Sequence, residues 1–295
     1  MTDIHDIDER ETSFSSGPVL ALDTSTTSMA LAVLQHGKLL GESHSASERN
    51  HSIRLVPMIN SLLDSLQFTS RDLAGITVGI GPGSYTGVRI GITVAKTMSW
   101  ALQKPVVGVS SLEALAKGAD SILSGQPAAG GDESAGSQDA RSLRTEASPG
   151  RWIVPLMDAR RGQAYTALFA ASESGGSLKR LEADGIRLFA DWLNVIAEHA
   201  FAAGQELCFV GETGLFQEQI GLWAGAWSGK VTVQETRMRG MDVGLLGLPK
   251  LQSGEGADPH SLVPNYTQLA EAEAKLNAKQ QGGEDGAAQA PKEVR

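Results

Sequence analysis

The strongest constraint on the fold is an order of apolar segments that occurs twice along the chain. Three strand-like runs bounded by turn residues come first, and helical and strand-like segments then alternate. The first copy has predicted strands at 19–22, 29–34, 38–43, 75–80 and 106–109, with helices at 52–66, from the 81–87 loop to 102, and at 111–117. The second has predicted strands at 151–157, 163–170, 178–183, 206–210 and 231–233, with helices at 190–203, 214–221 and 240–251. This order predicts two copies of one α/β module.

The segments outside the two copies differ from them in composition. Gly, Ser, Ala, Asp and Glu dominate residues 124–150, where apolar periodicity is lost. The predicted organisation is a disordered acidic N-terminus at 1–17, an N-terminal lobe with partner-binding helices at 18–120, a disordered insertion at 121–150, a C-terminal lobe at 151–270 and a tail at 271–295.

Charge and hydropathy limit the partners that the chain can bind. The net charge is −9, and most of it falls in the predicted tails and insertion, so the folded part is nearly neutral. Tight tRNA binding requires a cluster of Lys and Arg, which is not visible in the sequence. No apolar run approaches the ~20 residues of a membrane span, and the acidic start is unlike a signal peptide. We therefore expect a cytoplasmic protein that does not contact membranes, with Cys208 as a buried thiol.

Two loops are candidates for binding phosphate. The loop from Gly81 through Gly83, Ser84 and Thr86 to Gly87 lies between a predicted strand and a predicted helix, where backbone N–H groups favour an anion. It lacks the lysine of a Walker loop and the third glycine of a dinucleotide fingerprint. A tight turn with Ser84 or Thr86 as N-cap is the alternative.

The second candidate loop follows the first predicted strand. Asp23, Thr24 and Ser25 place a carboxylate and hydroxyls where a sugar-kinase or actin-like fold holds phosphate and magnesium. A hydroxyl-rich hairpin turn is the alternative. In the second copy, Asp158, Arg160 and Arg161 end the first strand, and they predict either a local ion pair or a site facing a cleft between lobes.

Two helices carry more apolar residues than a one-sided surface helix needs. Gly87 and Gly91 also form a small-residue face that would permit another helix to approach closely. Packing within the chain accounts for these patterns, and so does an interface with another subunit. The predicted partner contacts are Leu55, Met58, Ile59, Leu62, Leu66, Val88, Ile92 and Ala95.

Four segments resemble the TsaB family, also called YeaZ: LALDTSTTSMALAVL, IGPGSYTGVRIGITVAKTMSWAL, PVVGVSSLEALA and MDARRGQAY. The resemblance implies an α/β fold of two ribonuclease-H-like lobes, as in actin, sugar kinases and Hsp70. It also implies a heterodimer with the paralogue TsaD and joint work with the ATPase TsaE. A homodimer of the lone chain through the same helices is a further assembly that the sequence leaves open. The implied task is the modification of tRNA to threonylcarbamoyladenosine, beside the anticodon, with tRNA bound only through the complex.

The same resemblance implies that this chain is not the transferase. The paralogue TsaD carries two metal-binding histidines four residues apart, and the matching positions here are Ser111 and Leu115. We therefore expect a non-catalytic subunit that binds no cofactor alone, with ATP and metal belonging to the partner subunits. Asp23, Thr24, Ser25, Gly81, Gly83, Ser84 and Thr86 would then be vestigial phosphate loops. The alternative is a free-standing ATPase or phosphotransferase that uses these loops, whereas a metallopeptidase fails on the missing histidines.

Overall fold

The structure is a computed structural model that describes residues 17–45, 51–125, 150–172, 177–199, 206–256 and 258–267. In the first half these residues form β1 (Val19–Asp23), β2 (Met29–Gln35), β3 (Lys38–Ser45), α1 (His51–Ser65), β4 (Gly75–Gly79), α2 (Tyr85–Leu102), β5 (Val106–Val109) and α3 (Ser111–Leu123). In the second half they form β6 (Arg151–Asp158), β7 (Gln163–Ala171), β8 (Leu178–Leu188), α4 (Phe189–Glu198), β9 (Glu206–Gly211), α5 (Gln217–Ala224), β10 (Lys230–Glu235) and α6 (Gly240–Gln252).

The two halves have the same sheet topology. Five strands form the first sheet in the order β3-β2-β1-β4-β5, and five form the second in the order β8-β7-β6-β9-β10. In each sheet the first three strands are antiparallel, and the remaining two run parallel to the first. This is the order of a ribonuclease-H-like lobe, so the predicted fold class and its duplication are confirmed.

Each sheet has an outer layer of helices from its own half. Helices α1 and α2 cover the first sheet, where apolar side chains such as Leu55 and Ile59 pack on Leu20, Leu22 and Leu31. In the second half, Phe189 and Trp192 of α4 are fully buried against the strands. The helical periodicity of these segments follows from having one face in contact with a sheet.

The inner layer is made by helices that cross between the halves. Helix α6, from the second half, packs on β1, β2, β4 and β5 of the first sheet, and α3, from the first half, packs on β6, β7 and β9 of the second. Glycines make the contact of α6 close, because a Cβ at Gly240 would lie 2.4 Å from the backbone of Leu31. The core between the two sheets therefore contains residues of both halves, including Ala21, Leu112 and Phe169.

Some boundaries differ from those predicted. Helix α3 begins at Ser111 as predicted, with Ser110 as its N-cap, because the Ser110 hydroxyl accepts the N–H of Glu113. The helix continues beyond the predicted end at residue 117 to Leu123. Strand β8 extends to Leu188 across irregular pairing with β7. The predicted segments 1–17, 121–150 and 271–295 lie outside the described residues, except for 17, 121–125 and 150. Within the described ranges, no helix has the length and apolar character of a membrane span.

Candidate functional site

A cleft of about 1140 Å³ separates the two lobes. The first lobe contributes hydroxyl-bearing loops and the starts of α1 and α2. The second lobe contributes the β6–β7 turn and the carboxyl ends of β9 and β10, the position at which α/β folds bind ligands. The polar lining includes Ser25, Thr27, His51, Gly83, Ser84, Thr86, Asp158, Arg160, Glu212 and Glu235.

The carboxylate of Asp23 lies behind the cleft wall and is completely buried. Its Oδ1 accepts hydrogen bonds from the backbone N–H and the hydroxyl of Ser25, at 2.7 and 2.6 Å. Its Oδ2 accepts one from the hydroxyl of Ser111 at 2.6 Å. Burial raises the pKa of Asp23, while the bonds from Ser111 and Ser25 act in the opposite direction. These bonds make Asp23 a structural link between the end of β1 and the start of α3.

The glycines of the 81–87 loop allow it to pack against the loop after β1. A Cβ at Gly83 would lie 2.4 Å from the carbonyl oxygen of Ser25, and one at Gly87 would lie 2.1 Å from that of Thr24. The hydroxyl of Thr24 donates to the Gly87 carbonyl at 2.7 Å. The small-residue face predicted for contact with another helix instead accommodates a loop of the same lobe.

The structure separates the seven predicted loop residues into two groups. Four of them line the cleft: Ser25, Gly83, Ser84 and Thr86. Asp23, Thr24 and Gly81 do not line it. The alternative interpretation of the glycine loop is confirmed for Ser84, which is the N-cap of α2 and accepts the N–H of Gly87 at 3.3 Å. The hydroxyls of Thr24 and Ser25 are already used in bonds within the chain.

Carboxylates dominate the second-lobe wall of the cleft. Glu212 Oε2 accepts the backbone N–H of Asp158 at 2.8 Å, and Glu235 accepts the hydroxyl of Thr213 at 3.0 Å. Burial raises the pKa of Glu212, and the nearby charges of Asp158 and Glu235 raise it further. In the described part of the chain Asp158 forms no ion pair with Arg160 or Arg161, and its Oδ1 accepts the backbone N–H of Arg160. The cleft position predicted as the alternative for this segment is correct.

Glu212, Glu235 and His51 were not assigned to a cleft by the sequence. The two glutamates sit at or just beyond the ends of parallel strands, a position that the strand predictions could have revealed. His51 begins α1 and hydrogen-bonds to the backbone of Thr27, and partial burial lowers its pKa. Its place in the cleft depends on how the lobes close, which the sequence does not show.

Comparison with known proteins places the chain in a family. The tRNA threonylcarbamoyladenosine biosynthesis protein TsaB of Bacillus subtilis (strain 168) is 36% identical over 258 residues, which is 87% of this chain and 96% of that protein. The chain belongs to the TsaB family. The TsaB protein of Escherichia coli (strain K12) is 35% identical over 53% of this chain and 57% of its own length.

Two further comparisons concern the fold and the paralogue. A Pseudomonas aeruginosa crystal structure, described as similar to peptidase YEAZ, matches with a TM-score of 0.61 at 24% identity, over 85% of this chain and all of that one. At this sequence identity the match supports a shared fold and nothing beyond the fold. The family described as TsaD, tRNA N6-adenosine threonylcarbamoyltransferase, matches residues 40–129, a stretch that includes Ser111 and Leu115.

The residues at the two positions implied to be histidines in TsaD do not fit a metal. Ser111 is fully buried and bonded to Asp23, and its Oγ also accepts the N–H of Gly81 at 3.1 Å. Leu115 is buried against Gly211, where it helps α3 pack on the second sheet. Among the described residues, no group of three His, Cys, Asp or Glu side chains is arranged to hold a metal ion. The hydroxyl of Ser111 and the isobutyl group of Leu115 also cannot replace two imidazoles as metal ligands.

The predicted partner residues on α1 and α2 face mainly inward. Six of the eight are buried in the core of the first lobe: Leu55, Ile59, Leu62, Val88, Ile92 and Ala95. Met58 and Leu66 are only partly buried. The six buried residues cannot supply the surface of a partner interface, because their apolar area is already covered by the first sheet and by each other. The sequence identified apolar helices but not which apolar face remained exposed.

Other residues on the same helices do reach the surface. Ile53 and Val56 of α1 are 67% and 45% exposed, and they lie three residues apart on one helix face. Tyr85, at the start of α2, is 47% exposed and packs under the guanidinium of Arg89, which also donates to its hydroxyl at 2.9 Å. We call Ile53, Val56, Met58 and Tyr85 the α1–α2 surface.

Proposed function

We propose that the chain takes part in forming threonylcarbamoyladenosine in tRNA, as a non-catalytic subunit that binds and activates TsaD. Membership of the TsaB family supports the general part of this proposal, because the relatives carry that process in their names. The observation that carries the non-catalytic part is the burial of Ser111 in a hydrogen bond to Asp23. A side chain held there cannot reach a substrate in the cleft.

The α1–α2 surface is the proposed contact with TsaD. Its apolar side chains are exposed at neighbouring positions, and removal of such area from water drives association. An aromatic ring combined with an arginine, as in Tyr85 and Arg89, is typical of residues that dominate binding energy. The TsaD-type match beginning at residue 40 includes both helices, so equivalent helices of two related chains could pack about a pseudo-twofold axis.

Replacing Ile53 and Val56 with aspartate tests this contact. We expect the double variant to bind TsaD at least about tenfold more weakly, because two charges would have to be buried in an apolar interface. Its melting temperature should stay close to that of the original chain, since both side chains are exposed. Co-purification and titration calorimetry with TsaD measure the first effect, and the rate of threonylcarbamoyl transfer measures activation.

Two further variants serve as controls. Leu222→Asp places the same charge on α5, where the side chain is 78% exposed, and should leave TsaD binding unchanged. Leu62→Asp, by contrast, should destabilise the first lobe itself, because Leu62 is 7% exposed in the core. Undiminished binding by the Ile53/Val56 variant would remove this surface from the proposal. If the same surface forms a homodimer in the lone chain, that dimer should dissociate in size-exclusion chromatography of the variant.

The proposal includes the absence of a cofactor on the isolated chain. ATP and metal would belong to TsaD and TsaE, and tRNA would be bound only in the complex. The internal bonds of Thr24 and Ser25 and the carboxylates of Glu212 and Glu235 support this, because they leave few donors for a polyphosphate. Calorimetry of the chain with ATP and magnesium should give no saturable heat. Tight binding with turnover would instead favour the free-standing ATPase.

A further inference from the structure

The turn between β6 and β7 has an unfavourable backbone for the residues that occupy it. Arg160, Arg161 and Gly162 all have left-handed backbones, with φ of 65°, 54° and 73°. The N–H of Gln163 donates to the carbonyl of Arg160 at 2.9 Å, so Arg161 and Gly162 are the central residues of a tight turn. Positive φ at both central positions is typical of a type I′ turn, which favours Asn-Gly. Arginine, unlike glycine or asparagine, is disfavoured in this backbone conformation.

Backbone contacts hold this turn in place without using the arginine side chains. Asp158 Oδ1 accepts the N–H of Arg160 at 2.7 Å, and the N–H of Asp158 donates to Glu212. On the other side, the carbonyl of Gly162 accepts the N–H of Phe189, a fully buried residue, at 3.0 Å. The turn is therefore fixed to the core of the second lobe at both ends.

The two guanidinium groups have no partner in the part of the chain that the structure describes. Both arginines are exposed, and neither side chain makes a hydrogen bond, an ion pair or a ring contact there. The nearby carboxylate of Asp158 bonds to the backbone of Arg160 and leaves its side chain free. An unfavourable backbone that is held in place by other groups, at residues whose own side chains make no contact with the described chain, indicates a role in binding.

We propose that Arg160 and Arg161 contact phosphate groups of the tRNA backbone. Guanidinium groups form two-point hydrogen bonds with phosphate oxygens, and they are only weakly hydrated. Both properties favour phosphate over a neutral ligand. Arg160 lines the cleft, whereas Arg161 does not, so a ligand that touches both must extend across the cleft rim. A chain of phosphates does so. A free nucleotide in the cleft would reach Arg160 alone and would meet the carboxylates of Glu212 and Glu235.

This inference rests on the proposed function, because it assumes that the chain meets tRNA within the TsaD complex. The test is a titration of the assembled complex with purified tRNA over a range of salt concentrations. Arg160→Asn combined with Arg161→Asn should reduce the slope of log Kd against log salt by about 1.4 to 1.8, the change expected for two lost phosphate contacts. The same variant should melt about 2–4 °C higher, because asparagine tolerates the left-handed backbone better than arginine does.

Matched variants separate the sources of an effect. Arg71→Asn removes an exposed arginine from a short helical turn, and should leave the salt slope unchanged. If Arg160→Asn has an effect and Arg161→Asn has none, and the binding of inorganic pyrophosphate is weakened, a free nucleotide is the ligand and the RNA contact is overturned. Loss of TsaD from the double variant would point to a protein carboxylate and overturn it as well. An unchanged slope in the double variant would also do so. If no complex with TsaD forms, the proposed function fails and this inference fails with it, whereas a complex that binds tRNA with an unchanged slope overturns this inference alone.

Discussion

The carboxylate of Asp23 is shielded from solvent at the end of β1, and its two oxygens accept bonds from Ser25 and Ser111. Burial raises its pKa, so the folded state binds the proton more strongly than the unfolded chain does. The contribution of this group to stability is therefore complete below the ordinary carboxyl pKa. It decreases as the pH rises through the raised pKa, where the buried group must ionise.

Ser111→Ala should make this pH dependence steeper. The hydroxyl of Ser111 stabilises the ionised form of Asp23, so its loss raises the pKa further and should cost about 1–3 kcal/mol near neutral pH. The cost should shrink as the pH falls below the ordinary carboxyl pKa, where the group is protonated in both states. Urea unfolding at several pH values measures it.

Ser99→Ala is the matched control for that experiment. Ser99 is also buried, but its hydroxyl donates to the neutral carbonyl of Lys104. Its loss should destabilise the chain by the same amount at every pH. A pH-independent cost for Ser111→Ala as well would show that Asp23 does not titrate as described.

At the level of elements, helix α2 depends on two glycines for its position. Gly87 and Gly91 face the loop after β1, and a Cβ at either would lie within 2.4 Å of an atom of Thr24. The helix therefore lies closer to the first sheet than a helix with side chains at those positions could. This contact also places Ser84 and Thr86 at the cleft.

Gly87→Ala and Gly221→Ala should have opposite effects on stability. The added methyl at residue 87 would overlap the carbonyl of Thr24 and should cost roughly 1–3 kcal/mol or more. At residue 221, in α5, no heavy atom lies within 4 Å of the new Cβ, and the gain in helix propensity should be about 1 kcal/mol. Thermal unfolding of both variants checks the pair. Equal effects would contradict the packing argument.

The sequence predicted these elements well and their exposed faces poorly. Apolar periodicity located α1 and α2, because an amphipathic helix needs only one neighbouring surface to create that pattern. The same pattern could not separate Leu55, which packs on the sheet, from Ile53, which stays in water, since both are large and apolar. The arginines of the β6–β7 turn were noted for charge, but their positive φ depends on backbone geometry that side-chain types do not encode.

At the scale of the molecule, the lobes are joined by exchanged helices. Helix α6 covers the inner face of the first sheet, and α3 covers that of the second. Residues of both halves share one core between the sheets. This exchange was not predictable from the repeated element order, because a helix that follows its own sheet satisfies the same pattern as one that crosses.

We expect the chain to unfold in a single transition despite its two lobes. Loss of either lobe removes a helix from the other sheet and exposes its inner face, so neither half is stable alone. Differential scanning calorimetry should give a calorimetric enthalpy equal to the van't Hoff enthalpy. A fragment ending at residue 125 should show no cooperative melting. Two resolved transitions would contradict this coupling.

The position of α6 in the chain also orders the events of synthesis. Residues 240–252 leave the ribosome long after β1 to β5, so the inner face of the first sheet has no cover while most of the second half is being made. A nascent chain in this condition would expose Ala21, Ala30 and Leu34 to solvent, and we expect it to be a client for a chaperone. Ribosome-bound chains stalled before residue 240 should therefore be more sensitive to protease than those stalled after the end of the helix has emerged.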